Sequence, residues 1–125
     1  MSPIWLNDLK SLGTNWKKEH ITEAPWIIIV FKESYTLDDN NKKKGNYYQT
    51  ESVGISCGFL ISAIHQSGLV TLTHTPSPMR FLRELCERPK NEVPFLLLPV
   101  GYPSEDATVP NLKRKDLSQV LILKE

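Results

Sequence analysis

Ligand-grade side chains are few in this sequence and carry no ligand spacing: there are two cysteines and three histidines in 125 residues. Cys57 and Cys86 lie in apolar surroundings with neither a CxxC nor a zinc-type arrangement, which reads as two free thiols in a reducing compartment, the cytoplasm, rather than a disulfide framework. His20, His65 and His74 show no metal-ligand spacing among themselves, so no metal site is expected. GxSxG, P-loop and paired-carboxylate patterns are also missing, and hydrolase chemistry finds no support. Charge of one sign is missing too. Fifteen basic residues face 14 acidic ones, a net charge of +1, which gives no reason to expect a nucleic acid or an anionic membrane as partner. The first residues, Met-Ser-Pro-Ile-Trp, lack the basic and then apolar pattern of a secretion signal. Residues 52–79 contain no Asp, Glu, Lys or Arg. Ser, Gln, Gly and Pro nevertheless interrupt that stretch before it reaches the roughly 20 apolar residues a bilayer demands, so it predicts burial in protein and no membrane segment. Repeats, low-complexity tracts and long linkers are absent, and residues 1–125 read as one unit.

What is present has the balance of an ordinary globular domain, 40% apolar and 23% charged. Leu6, Leu9, Leu12 and Trp16 fall near one helical face and predict an amphipathic helix. After Pro25, the run Trp26 to Phe31 is continuous, apolar and β-branched, and predicts a strand buried on both faces. Asp38 to Gly45 predicts a polar loop, and its three lysines are assigned no site. Glu51 to Gln66 spreads Val53, Ile55, Phe59, Leu60, Ile61 and Ile64 around a helix that must be buried nearly all round, with Gly54, Gly58 and Ser62 as a seam for close packing. Gly68 marks the end of that helix, and Leu69 to Thr73 predicts a second strand. A short helix starting near Pro78 should carry Phe81, Leu82 and Leu85 to the core. Pro94 to Val100 predicts a third strand closed by the turn Gly101-Tyr102-Pro103, a polar loop runs on to Lys115, and Val120 to Leu123 predicts a final apolar strand in search of a partner. The sum is an α+β core. Its one chemically distinctive passage is Thr71-Leu72-Thr73-His74-Thr75-Pro76, where hydroxyls and backbone donors gather at a strand end inside the uncharged stretch. That place suits a polar ring system, although threonines are equally at home in a plain strand.

Four segments, NWKKEHITEAP at Asn15–Pro25, KKKGNYY ending at Tyr48, GLVTLTHTP at Gly68–Pro76 and LLLPVGYPSEDATVPNLKRK at Leu96–Lys115, together resemble the iodotyrosine deiodinase branch of the nitroreductase family. VGYP is shared by flavin reductases of that fold, whereas VGYP followed by EDATVP and LKRK is characteristic of the deiodinase branch. The resemblance implies an FMN-dependent, nitroreductase-like α+β fold, dimeric in the family, with FMN at the subunit interface and residues 1–125 as its C-terminal part. It implies that Thr73, His74, Thr75 and Arg114 contact FMN, Arg114 through the phosphate. It also places the Thr75 hydroxyl beside the flavin's reactive nitrogen, where a donor favours stepwise electron delivery to a carbon–halogen bond over hydride transfer. Lys18 matches the family lysine that pairs with the carboxylate of a halogenated tyrosine and helps close a lid. The family's Arg-rich phosphate motif, the loop flanking the flavin and two further substrate contacts precede the first residue of this chain, and relatives can carry a membrane anchor there. The loop at Ser77 to Phe81 is one residue shorter than in vertebrate members. Three functional readings follow: reductive dehalogenation of halogenated tyrosines, with the isolated chain an inactive fragment; a general FMN nitroreductase using NAD(P)H; or a non-catalytic fragment that pairs with a full-length subunit.

Overall fold

The computed structural model describes residues 3–13 and 17–124, with Asp8 and Ser11 described by their backbone alone. The ordered elements are α1 (Pro3–Ser11), α2 (Glu19–Glu23), β1 (Trp26–Glu33), β2 (Tyr35–Leu37), β3 (Lys43–Gly45), α3 (Gln49–Gln66), β4 (Val70–Thr71), α4 (Phe81–Leu85), β5 (Glu92–Gly101) and α5 (Leu117–Val120). They divide into two compact units. Residues 1–18 with 104–125 form one, and residues 19–103 form the other.

In the larger unit β5 is the centre of a three-stranded antiparallel sheet of order β1-β5-β4. Side chains alternate across a strand, so Leu96, Leu98 and Val100 share one face of β5. With Cys57 and Ile64 of α3 they form the buried core, and Ile28, Val30, Val53, Leu60, Ile61, Leu69 and Phe95 pack around them. Leu98 is wholly buried, with 0% exposure. The doubly buried strand is therefore β5, where Leu96 to Val100 are all buried, rather than the Trp26–Phe31 run, whose residues are at best half-buried because β1 is an edge of this sheet. Pro94 cannot donate to a ladder, and the register shift against Val30 and Phe31 falls there. Gly101 faces Val70, and a Cβ on it would stand 2.9 Å from the Pro25 ring, so only glycine admits this approach.

Helix α3 ends as Gly68 foretells. At φ 75°, Gly68 donates to His65 O (3.0 Å) and Leu69 donates to Ile64 O (3.2 Å), the paired bonds of a Schellman motif. Its burial departs from expectation. Only Cys57 and Ile64 are buried along its length, Ile55 is 64% and Phe59 75% exposed, and a Cβ at Gly54 or Gly58 would meet nothing within 4 Å. A single sheet covers a single helix face, so the apolar remainder stays uncovered in this chain. Burial also raises the Cys57 thiol above its ordinary pKa, since the charged form loses its hydration; both cysteines are free.

Other expectations are corrected. Asp38–Gly45 is only partly loop, because Lys43–Gly45 pairs with Tyr35–Leu37 as a hairpin and Lys43 Nζ lies 4.6 Å from the Tyr35 ring centroid. Asp38 shapes its turn by accepting from the Asn40 and Lys42 amides at 3.0 and 2.8 Å. Helix α4 sends only Leu82 inward, while Phe81 and Leu85 are exposed. A polar junction joins the end of β1 to the start of β5. Ser34 Oγ donates to Asn91 O (2.8 Å), and Asn91 Nδ2 donates to Glu33 Oε1 (3.1 Å) and Tyr35 O (2.9 Å). Arg88 grips Glu92 with two bonds of 2.7 Å, which lowers the Glu92 pKa and raises that of Arg88.

In the smaller unit, α1 stops before Leu12 at the left-handed Gly13, and Asn15 and Trp16 lie outside the described residues. The expected final strand is not formed. Asp116 and Gln119 make a capping box that starts α5, so Val120 is helical and Leu121–Leu123 have no ladder partner among the described residues; all four side chains are exposed.

Leu98→Ala should lower unfolding free energy by about 2–5 kcal/mol, and Gly101→Ala by about 1–3 kcal/mol, in urea titrations. Because the folded Glu92 pKa is depressed, its stabilising contribution is present above the unfolded carboxylate value, near 4.3, and is lost as pH falls through the folded value. Melting curves of Glu92→Gln should therefore show a shallower loss of stability in that acid window than the wild type.

Candidate functional site

The passage that follows α3 and β4 owes its shape to a missing hydrogen. Thr71 pairs with Val100 and His74 with Leu97, so one register runs through both and sets Leu72 opposite Pro99. His74 and Leu97 exchange two bonds, N to O at 2.9 Å and O to N at 2.8 Å. Alternate residues of β5 face the same neighbour, which turns the backbone of Pro99 toward β4 as well. Proline has no N–H to give Leu72, and the ladder opens there before closing again at His74. The expected strand Leu69–Thr73 is thereby cut to Val70–Thr71.

That geometry decides how the predicted residues present themselves. His74 is half-buried and pinned, while Thr73 and Thr75 on either side are exposed. In an antiparallel pair, the residues flanking a doubly bonded one direct N–H and C=O away from the partner strand. The peptide groups of Thr73 and Thr75 thus face the free edge of the sheet, because β4 is its last strand. Thr71 Oγ1 is buried with no hydrogen-bond partner among the described residues, and so is His20 Nε2. The His20 ring, on α2, meets the His74 ring edge-on, with centroids 5.9 Å apart and planes at 82°. The sequence marks His20 only as a histidine without ligand spacing; 54 positions separate the two rings, and only the folded chain brings them together.

Lys18 is half-buried and Arg114 exposed, and both belong to the smaller unit, whereas Thr73, His74 and Thr75 belong to the larger. No group of three or more His, Cys, Asp or Glu fit to hold a metal ion occurs among the described residues, and no described helix is long and apolar enough to cross a membrane.

No protein-family model matches the chain. Iodotyrosine deiodinase of Haliscomenobacter hydrossis is 54% identical over 123 residues, 98% of this chain and 55% of that protein. The chain matches the C-terminal part of iodotyrosine deiodinases. It spans about half the length of the curated deiodinases it matches. Among solved structures, oxidized iodotyrosine deiodinase bound to FMN and 3-iodo-L-tyrosine superposes with a TM-score of 0.73 at 26% identity, over 99% of this chain and 58% of that one. A nitroreductase family protein from Clostridium difficile 630 superposes at 0.62 with 20% identity, over 94% of this chain and 67% of that one, which shows the fold alone. The fold is thus the α+β, nitroreductase-like one, represented here in part.

Pro99→Val restores the donor opposite Leu72 without emptying the buried site. Hydrogen-exchange NMR should then find a protected amide at position 99 and a β4 ladder continuous from Val70 to His74; an amide at 99 that exchanges as fast as those of the loop after Gly101 would show that the proline is not what opens the ladder.

Proposed function

We propose that residues 1–125 are the C-terminal part of one nitroreductase-like flavin domain whose enzyme reductively removes halogen from halogenated tyrosines. The similarity to deiodinases across 98% of the chain carries this reading. It is supported by the superposition on a deiodinase that binds FMN and 3-iodo-L-tyrosine.

The passage fits a flavin. A planar polar ring asks for backbone donors and acceptors along one edge, and the outward peptide groups of Thr73 and Thr75 offer them. The unpartnered Thr71 hydroxyl leaves further hydrogen-bonding capacity beside them. Reduced FMN supplies the electrons for breaking the carbon–halogen bond. In this reading Thr73, His74 and Thr75 would hold and orient the ring, and the Thr75 hydroxyl would offer it a hydrogen-bond donor. Arg114 clamps the phosphate with a guanidinium that stays charged at every working pH. Lys18 takes the carboxylate of the amino-acid substrate.

The uncovered apolar side of α3, with open space at Gly54 and Gly58, supports a homodimer that closes on this helix. The exposed Val120–Leu123 segment supports an exchange of C-terminal strands with the partner. Two free thiols fit a reducing, cytoplasmic setting. The isolated chain is expected to be inactive, because it spans half of its relatives.

Flavin absorbance after incubation with FMN and dialysis tests this directly. The 125-residue chain should remain colourless, and a form extended upstream should be yellow and should dehalogenate iodotyrosine in preference to reducing nitroaromatics. In that form, Lys18→Ala should raise KM for iodotyrosine roughly 10- to 100-fold, the loss of one charge-assisted bond. Preferential nitroaromatic reduction with a nicotinamide donor would instead select the general nitroreductase.

A further inference from the structure

The contact between His20 and His74 has no assigned role, and it joins α2, just after Lys18, to the passage proposed above for the cofactor. Two observations describe how it is made. The rings meet edge-on at 5.9 Å, an arrangement in which the positive edge of one ring meets the negative face of the other. The His20 Nε2 atom is buried and makes no hydrogen bond among the described residues. What His20 offers this neighbourhood is therefore a ring surface.

The passage needs such a support. Pro99 withholds the bond that would have fixed Leu72, and His74 is held to the sheet by one isolated bridge. A bridge without neighbouring rungs opens readily, since each closing must order the chain afresh. Helix α2 has only five residues, and its last turn is closed by Ala24 N donating to His20 O at 3.3 Å, so the His20 backbone is tied where its ring meets His74.

We propose that His20 is a positioning residue that fixes the Thr73–Thr75 passage by packing its ring against His74, and so sets the geometry in which that passage receives a cofactor. The role in cofactor binding rests on the flavin reading above; the ring contact does not. Because the contact is made by ring surface, a phenyl group can replace the imidazole. His20→Phe even removes the buried atom that lacks a partner, whereas His20→Ala removes the support altogether.

Amide hydrogen exchange on the full chain separates these cases without any cofactor. In His20→Ala the His74 amide should exchange about 2- to 10-fold faster, the range an aromatic pair commands, while the Leu98 amide at the sheet centre is unchanged. His20→Phe should restore wild-type protection at His74. Equal His74 protection in wild type and His20→Ala overturns the proposal, and so does acceleration that His20→Phe fails to reverse. In the upstream-extended form, FMN dissociation constants should follow the same order, with His20→Ala weakest; affinities equal across the three proteins overturn the cofactor role. A wild-type extended form that takes up no FMN defeats the flavin reading instead, and the exchange comparison still decides the ring contact.

Discussion

The burial of β5 on both faces is the constraint from which the larger unit follows. A strand enclosed on both sides must be apolar in every position, and Leu96 to Val100 meet that demand with no polar side chain. Its two edges then recruit β1 and β4 as antiparallel neighbours, and the face bearing Leu96, Leu98 and Val100 recruits α3. The two prolines in β5 do not weaken this arrangement so much as punctuate it. Pro94 coincides with the register shift on the β1 side, and Pro99 opens the ladder on the β4 side. Each deletes one donor where regular pairing would otherwise continue.

The second of these interruptions adjoins the candidate site. An unbroken β4 would spend the backbone groups of Leu72 on the sheet and leave the edge a uniform strand. Beyond the gap lies a short passage anchored at His74, and the outward peptide groups of Thr73 and Thr75 follow from the alternation of an edge strand. In the proposed site a bonded residue, His74, stands between two outward-facing peptide groups, so one attachment to the sheet leaves donors on either side of it unspent. His20 adds a second anchor from a different part of the chain, and it does so by shape rather than by hydrogen bonding.

Uncovered apolar surface is the other consistent feature. Ile55 and Phe59 on α3, Phe81 and Leu85 on α4, and Val120 to Leu123 near the end of the chain are all exposed. Surface of this extent in water invites association. It agrees with a chain that spans about half the length of the deiodinases it resembles, and whose α3 carries more apolar face than one three-stranded sheet can cover.

Elements whose signals are local can be read from the residues alone. The apolar runs of β1 and β5, the helix over residues 51–66, its stop at Gly68 and the Thr-rich passage are legible because periodicity, glycine and proline act over a few residues. The deiodinase resemblance was equally legible, since EDATVP followed by LKRK needs no coordinates to be read. Whatever depends on neighbours was settled by the folded chain. It made β5 rather than β1 the doubly buried strand, because strand order is a property of pairing and not of composition. It turned part of Asp38–Gly45 into a hairpin, and the expected terminal strand into α5 and a segment with no ladder partner among the described residues, since a ladder exists only where a partner strand is within reach. It left most of α3 uncovered, and it brought His20 to His74 across 54 positions of sequence. Local chemistry is written residue by residue, whereas burial and contact are set by which surfaces the rest of the chain can supply.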